Sequence, residues 1–218
     1  MFTYFKNDSI KKLVIAFGNI FNNVQIEQKN ADGTLRDFVI PLSYSSKEKF
    51  IKRLSDPSSI SEQTRIEISL PKMSFELSNL TYDPLRKMNK LSRKIIKNTA
   101  NTIGEYAFSE IPYNFNFNLM VYTRNIEENL DIIGQILPYF GPEFIVSVNM
   151  SDFSKSVDVP IVIVQTNLTQ EYEGDFGNRR FIVSSFQFVA KSYVYAKTDV
   201  SPLVQTAGIC LSTNILIQ

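Results

Sequence analysis

The chain has no histidine and no tryptophan, and one cysteine among its 218 residues. Without histidine it lacks the commonest general base and the commonest zinc ligand. Carboxylates, Lys and Tyr can still do acid–base work, but the prior for an enzyme falls. A lone cysteine, Cys210, excludes an internal disulfide framework and reads as a small apolar residue. No apolar run approaches the roughly 18 residues that span a membrane. The N-terminus lacks a basic-then-apolar leader pattern, because Lys6, Asp8, Lys11 and Lys12 interrupt it. These absences lead to the expectation of a soluble, cytosolic protein of a reducing compartment, with no membrane contact.

What is present argues for a packed core. Hydrophobic residues make up 44% of the chain and aromatics 12%, with 17 Phe and 10 Tyr. A chain of this size buries roughly 70% of its unfolded surface, so a single domain needs no staple. The expectation is one domain over residues 1–218, with a projecting basic arm at 83–98.

Hydrophobic periodicity outlines the elements. Residues 9–22 place Ile10, Leu13, Val14, Phe17, Ile20 and Phe21 on one helical stripe, with Asp8 or Ser9 as the cap. Residues 24–28 and 35–42 read as a hairpin around the turn 30–34, and Pro41 marks a strand end or a sheet edge. Residues 45–54 read as a short helix opened by Ser45 and Glu48, and 56–63 as a loop. Residues 65–82 alternate on both sides of Pro71, as two strands or one kinked strand. Residues 99–108 read as a weak helix or loop around Gly104.

The clearest strand is 113–124. Tyr113, Phe115, Phe117, Leu119 and Val121 face one way, and Asn114, Asn116 and Asn118 the other. The clearest helix is 125–140, capped by Asn125 and stopped by Pro138, with Ile126, Leu130, Ile133 and Leu137 as its apolar stripe. Three further strands read over 143–150, 157–168 and 179–196, with a turn at 172–178. Hairpin signals dominate over helix–strand alternation. The predicted class is α+β: a mainly antiparallel sheet with a few packed helices and long hairpin loops.

No phosphate-binding loop, dinucleotide fingerprint, metal-ligand cluster or nucleophile elbow is present. No cofactor is expected. The best carboxylate group is Glu127, Glu128 and Asp131, where Glu127 and Asp131 share a helix face. Such a pair could serve a carboxylate-dependent, glycan-acting enzyme. The simpler reading is acids complementing the positive end of a helix.

Charge is unevenly placed. Residues 86–97 carry Arg86, Lys87, Lys90, Arg93, Lys94 and Lys97 and no acid, which leaves 17 Lys+Arg against 22 Asp+Glu elsewhere. If the segment is helical, Leu85, Met88, Leu91 and Ile95 form one stripe, and Arg86, Lys90, Arg93 and Lys97 another. It contains no aromatic residue for base stacking. A solvated face, a dock for an acidic protein surface and a phosphate-binding stripe are the three readings, with nucleic acid the weakest. A second charged group, 173–180, holds Glu173, Asp175, Arg179 and Arg180, as a hairpin loop or an intersubunit contact.

Several stretches then carry a resemblance. "MFTYFKNDSIKKLVIAFGNIFNNVQI", "IPLSYSSKEKFIKRL", "LPKMSFELSNLTYDPLRKMNKL", "QILPYFGPEFIVSV", "DVPIVIV" and "YEGDFGNRR" occur in this order. Together, from Met1 to about Tyr195, they resemble the tail-sheath stabiliser, or tail completion, family of contractile-tailed phages. "IPLSYSSKEKF" and "QILPYFGPEF" are the most specific. The resemblance implies a structural virion protein, similar to tail terminators, that forms a sixfold ring at the head-proximal end of the tail. It implies partners in the sheath, the tube or terminator and the neck, with DNA only passing through the lumen. It implies no catalysis. In that setting the basic residues 86–97 and the 173–180 loop become expected assembly contacts. One relative carries a longer acidic, proline-rich tail, whose functions do not transfer.

Overall fold

The computed structural model describes residues 8–29, 35–49, 70–89, 91–97, 103–149, 156–171, 181–195 and 199–202. The chain divides into two compact units. The larger comprises Asp8–Lys87 and Pro112–Val194. The smaller comprises Met1–Asn7, Met88–Ile111 and Tyr195–Gln218.

The larger unit opens with α1, Ser9–Ile20, whose N-cap is Asp8. The predicted stripe is the buried one: Leu13, Phe17 and Phe21 are inaccessible to solvent. β1 (Gln25–Lys29) and β2 (Leu35–Val39) pair antiparallel, as the hairpin signal implies. Pro41 separates β2 from β3, Leu42–Tyr44, which lies on a sheet edge. Residues 47–49 are helical; the rest of the 45–54 helix, and the 56–63 loop, lie outside the described residues.

A six-stranded sheet forms the body, in the order β3-β4-β7-β10-β9-β8. Its strands are β4 (Lys72–Tyr82), β7 (Ile111–Thr123), β8 (Phe144–Val148), β9 (Val157–Glu171) and β10 (Phe181–Val194), besides β3. β3 runs parallel to β4, while β4–β7, β9–β10 and β8–β9 are antiparallel. Pro71, after a cis peptide bond, stands just before β4. The earlier half of the predicted 65–82 pair lies outside the described residues.

β7 has the predicted register. Phe115, Phe117, Leu119 and Val121 are buried, and Asn114, Asn116 and Asn118 are partly exposed. The ring of Phe17 stacks on Phe117 at 4.2 Å between centroids and meets Phe188 of β10 edge-on at 5.4 Å. Gly18 permits this closeness, because a Cβ there would stand 2.8 Å from the Phe75 ring. Near its end β7 is buried on its second face too. Met120 and Tyr122 pack there with Phe181, Val183 and Leu70.

The second helix, α2, spans Ile126–Ile136 and passes into a 3-10 turn, Leu137–Phe140. Here the predicted stripe is corrected. Asn129, Ile132 and Ile136 are the buried residues, whereas Ile126, Leu130 and Leu137 are exposed. The reason is polar. The Asn129 amide donates to Thr123 Oγ1 at 3.1 Å and accepts from Ser184 Oγ, and all three residues are fully buried. Burying three polar groups requires that they satisfy one another, and this fixes the helix rotation.

The smaller unit contains a three-stranded antiparallel sheet, β11-β6-β5, from β5 (Arg93–Lys97), β6 (Ile103–Phe108) and β11 (Asp199–Pro202). One open alternative closes and one expectation changes. The described residues of 86–97 are not α-helical, with 93–97 extended, and 103–108 are strand rather than helix or loop. Pro84 opens a 3-10 turn at Pro84–Arg86, and the β-branched pair Ile95–Ile96 sits in an extended ladder opposite Tyr106 and Glu105. The apolar stripe inferred for a helix does not form a buried face: Leu85 is 95% and Leu91 83% exposed.

Candidate functional site

The basic segment is split in role. Asp83 accepts from the Leu85 backbone N–H and caps the 3-10 turn. Its second oxygen accepts from Arg86 Nε at 2.8 Å. The Arg86 guanidinium also donates to Asn114 Oδ1 at 2.8 Å and to the Tyr113 carbonyl at 3.3 Å, and lies over the Tyr193 ring. These contacts join the end of β4 to β7 and β10. The hydrogen bond from Arg86 holds the Asp83 carboxyl below the usual range, assisted by the Leu85 amide. Arg86 is therefore an internal clamp.

Lys87 follows the turn and is exposed. Arg93, also exposed, starts β5 with its guanidinium 5.1 Å from the centroid of Phe108. Lys94 and Lys97 occupy β5 positions opposite Ala107 and Gly104. Lys90 and the 173–180 loop, with Glu173, Asp175, Arg179 and Arg180, lie outside the described residues. The cations among the described residues thus share no helical face.

The acidic group sits at the start of α2. Glu127 and Asp131 are exposed. Glu128 is half-buried, and its Oε2 has no hydrogen-bond partner among the described residues. Burial raises its carboxyl above the usual range against the attraction of Arg124, and Asp131 adds to the rise. No group of three His, Cys, Asp or Glu side chains able to hold a metal occurs among the described residues. A cavity of about 430 Å³ opens between the end of α1 and the end of α2, lined by Phe21, Val24, Ile136, Pro138 and Phe140 among others. None of the three acids lines it. No helix among the described residues is long and apolar enough to cross a membrane.

Two features have no counterpart in the sequence reading. One is the Thr123–Asn129–Ser184 network, whose members are far apart in sequence and individually unremarkable. The other is the outer margin of β9. β8 covers β9 only from Val157 to Ile161, and the register shifts between Gln165 and Ile163, so that Val164 bulges. Beyond the bulge, residues 165–169 are exposed. A run of β-formers without charge was the available signal.

Comparison with known proteins identifies the setting. The family model described as the T4-like virus Myoviridae tail sheath stabiliser matches residues 4–215. The tail completion protein gp15 of Enterobacteria phage T4 is 28% identical over 205 residues, which is 91% of this chain and 75% of the relative. Matched by that model over almost its whole length, the chain belongs to the tail sheath stabiliser family and is a structural protein of a phage tail.

Proposed function

We propose that the chain forms a homo-oligomeric, sixfold ring at the head-proximal end of a contractile tail, where it holds the last sheath layer and joins the tail to the neck. The observation that carries this reading is the family match over residues 4–215, together with a relative whose name is tail completion protein. The exposed acids at the start of α2, away from the cavity, favour a structural over a catalytic role. Assembly takes place in the host cytoplasm and the product is part of the virion.

Within that ring the exposed cations Lys87 and Arg93, with Lys90, Lys94 and Lys97, meet acidic partner surfaces of sheath, tube or neck. Arg86 holds the turn that precedes Lys87 in place through Asp83 and Asn114. Glu173, Asp175, Arg179 and Arg180 form contacts between subunits. DNA passes through the lumen without a phosphate-binding site, because each neutralised phosphate would add affinity and retard passage.

Cryo-electron microscopy of intact tails tests the reading. A ring of this chain above the last sheath layer is the expected result, and density for it elsewhere in the tail overturns it. Lys87→Glu with Arg93→Glu should give folded protein that no longer completes tails. Completion by this double mutant would remove the basic segment from the interface.

A further inference from the structure

The outer edge of β9 and the exposed flank of α2 belong to one surface. Ser184, which holds Asn129 of α2, is the cross-strand partner of Leu168. Paired residues share a sheet face, so Leu168 stands beside α2 on the face that α2 covers. The 3-10 turn that follows α2 reaches β9. The other flank of α2 is occupied, because Gln135 bonds the Gln25 backbone of β1 through both its amide atoms. Helical spacing places Ile126, Leu130, Ile133 and Leu137 on the flank away from Gln135. That flank therefore overhangs the open part of β9. Leu130 is 54% and Leu168 47% exposed.

The result is a shelf beside the apolar α2 flank, and it ends at a strand edge with no ladder partner among the described residues. Between Val159 and Gln170 the strand has no charged side chain. Natural sheets usually protect such an edge with Lys, Pro or a covering element. Here β8 covers the edge only as far as Ile161, and the outer ladder groups beyond the bulge at Val164 have no strand partner among the described residues. An added strand would make main-chain bonds to β9 and lay alternate side chains against the α2 flank.

The chain itself contains a segment with that chemistry. Residues 209–217 read I-C-L-S-T-N-I-L-I, with Ile209, Leu211, Ile215 and Ile217 at alternate positions. No charged side chain occurs from Val200 to Gln218. A neutral, alternating segment matches a neutral edge beside an apolar wall, whereas the acidic partners invited by the basic segment do not. We propose that residues 209–217 of one copy add as a strand to the β9 edge of the next copy, under the Ile126–Leu130–Leu137 flank. This head-to-tail contact is heterologous, the type that closes rings, and it rests on the ring reading above.

The lone cysteine supplies the test. Cys210 alternates with Ile209 and Leu211 and so faces away from α2, as do Gln165, Asn167 and Thr169 on β9. Gln165→Cys, Asn167→Cys and Thr169→Cys are made singly in the full chain, with Asn79→Cys on β4 as control. Paired strands bring Cα atoms to about 4.5–5.5 Å, within disulfide range. Mild oxidation should give a disulfide-linked dimer in at least one β9 variant, lost when Cys210→Ser is added. Mixing an Asn167→Cys/Cys210→Ser chain with wild type should yield the mixed link if position 167 is the one in register. The same mixing applies to whichever position links. A link confined within one chain overturns the proposal, and so does linking no stronger than in the Asn79→Cys control. Native mass measured in parallel separates the two readings. A ring that does not link at β9 overturns only the strand exchange. A chain that stays monomeric at every concentration, in solution and on tail ends, and does not link overturns the ring as well.

Discussion

α1 and α2 look alike in sequence and behave differently in the fold. Both are amphipathic, of 12 and 11 residues, and each has an apolar stripe at helical spacing. In α1 the stripe is the buried face, with Leu13, Phe17 and Phe21 in the core. In α2 the apolar stripe is turned outward, and Asn129 faces in with Ile132 and Ile136. Periodicity finds the helix in both cases. It finds the buried face only where packing alone sets the rotation. In α2 a buried amide with two hydroxyl partners sets it instead. Each polar group left unpaired in a core costs about 1–3 kcal/mol, and the three groups of this network together outweigh the partial exposure of three leucine-sized side chains.

The largest effect should come from the apolar anchor of α1. Phe17 touches Phe21, Phe75, Phe117 and Phe188, and is fully buried. Phe17→Ala should cost about 3–5 kcal/mol, read by urea denaturation. A loss below about 1 kcal/mol would mean that the aromatic cluster collapses to fill the space, and the contrast with α2 would weaken.

Next comes the fit of α1 on β4. A Cβ at Gly18 meets Phe75 Cζ at 2.8 Å, and the Phe75 ring is itself held by Phe17 and by Tyr44 at 5.3 Å. Gly18→Ala should destabilise by about 1–3 kcal/mol through overpacking. Adding Phe75→Leu should recover part of the loss. If the double mutant is worse by the sum of both changes, the two positions are not coupled in the way the contact requires.

The polar anchor of α2 follows. Asn129→Ala strands the Thr123 and Ser184 hydroxyls and should cost about 1–3 kcal/mol. The sharper variant removes the whole network: Asn129→Leu with Thr123→Val and Ser184→Ala. Replacing all partners by apolar groups of like shape is expected to be nearly neutral. It also frees the helix to turn its apolar stripe inward. A reporter cysteine at position 130 should then label more slowly than in the native background. Unchanged labelling would show that neighbouring contacts, not the amide, fix the rotation.

Much of the fold was legible because its cause is local. The β7 alternation, the β1–β2 hairpin and the α1 stripe each depend on residues within one element. What was left open or misread has a different cause. Leu85, Met88, Leu91 and Ile95 fit a helical spacing, yet Asp83 and Pro84 fix a 3-10 turn and the Ile95–Ile96 pair joins a ladder. β6 was unreadable around Gly104 because its support is β5 on one side and β11 on the other, the latter about a hundred residues away. The double burial of β7 at Met120 and Tyr122 likewise depends on Phe181 and Val183. The basic segment was visible as composition, but composition could not assign Arg86 to Asp83 and Asn114 while leaving Lys87 exposed. Side chains that choose partners across the sheet leave no periodic trace.

The smallest expected effect concerns the acid beside the Asn129 anchor. Glu128 stands in the first turn of α2, where a carboxylate is normally favoured by the helix dipole. Burial nevertheless raises its carboxyl above the ordinary range, with Asp131 adding to the rise and Arg124 opposing it. A folded-state pKa above the unfolded value means that the group favours the fold below the unfolded pKa, near 4. That contribution is lost as pH rises through the folded value. At neutral pH the wild type therefore carries an ionised, partly desolvated carboxylate that glutamine would not. Glu128→Gln should be slightly more stable than wild type at pH 7, and the difference should close as the pH falls below about 4. Paired urea titrations at the two pH values measure it. A mutant less stable than wild type at pH 7 would show that attraction to Arg124 and the helix terminus outweighs burial. The polar side of α2 would then be held by charge as well as by the Asn129 network.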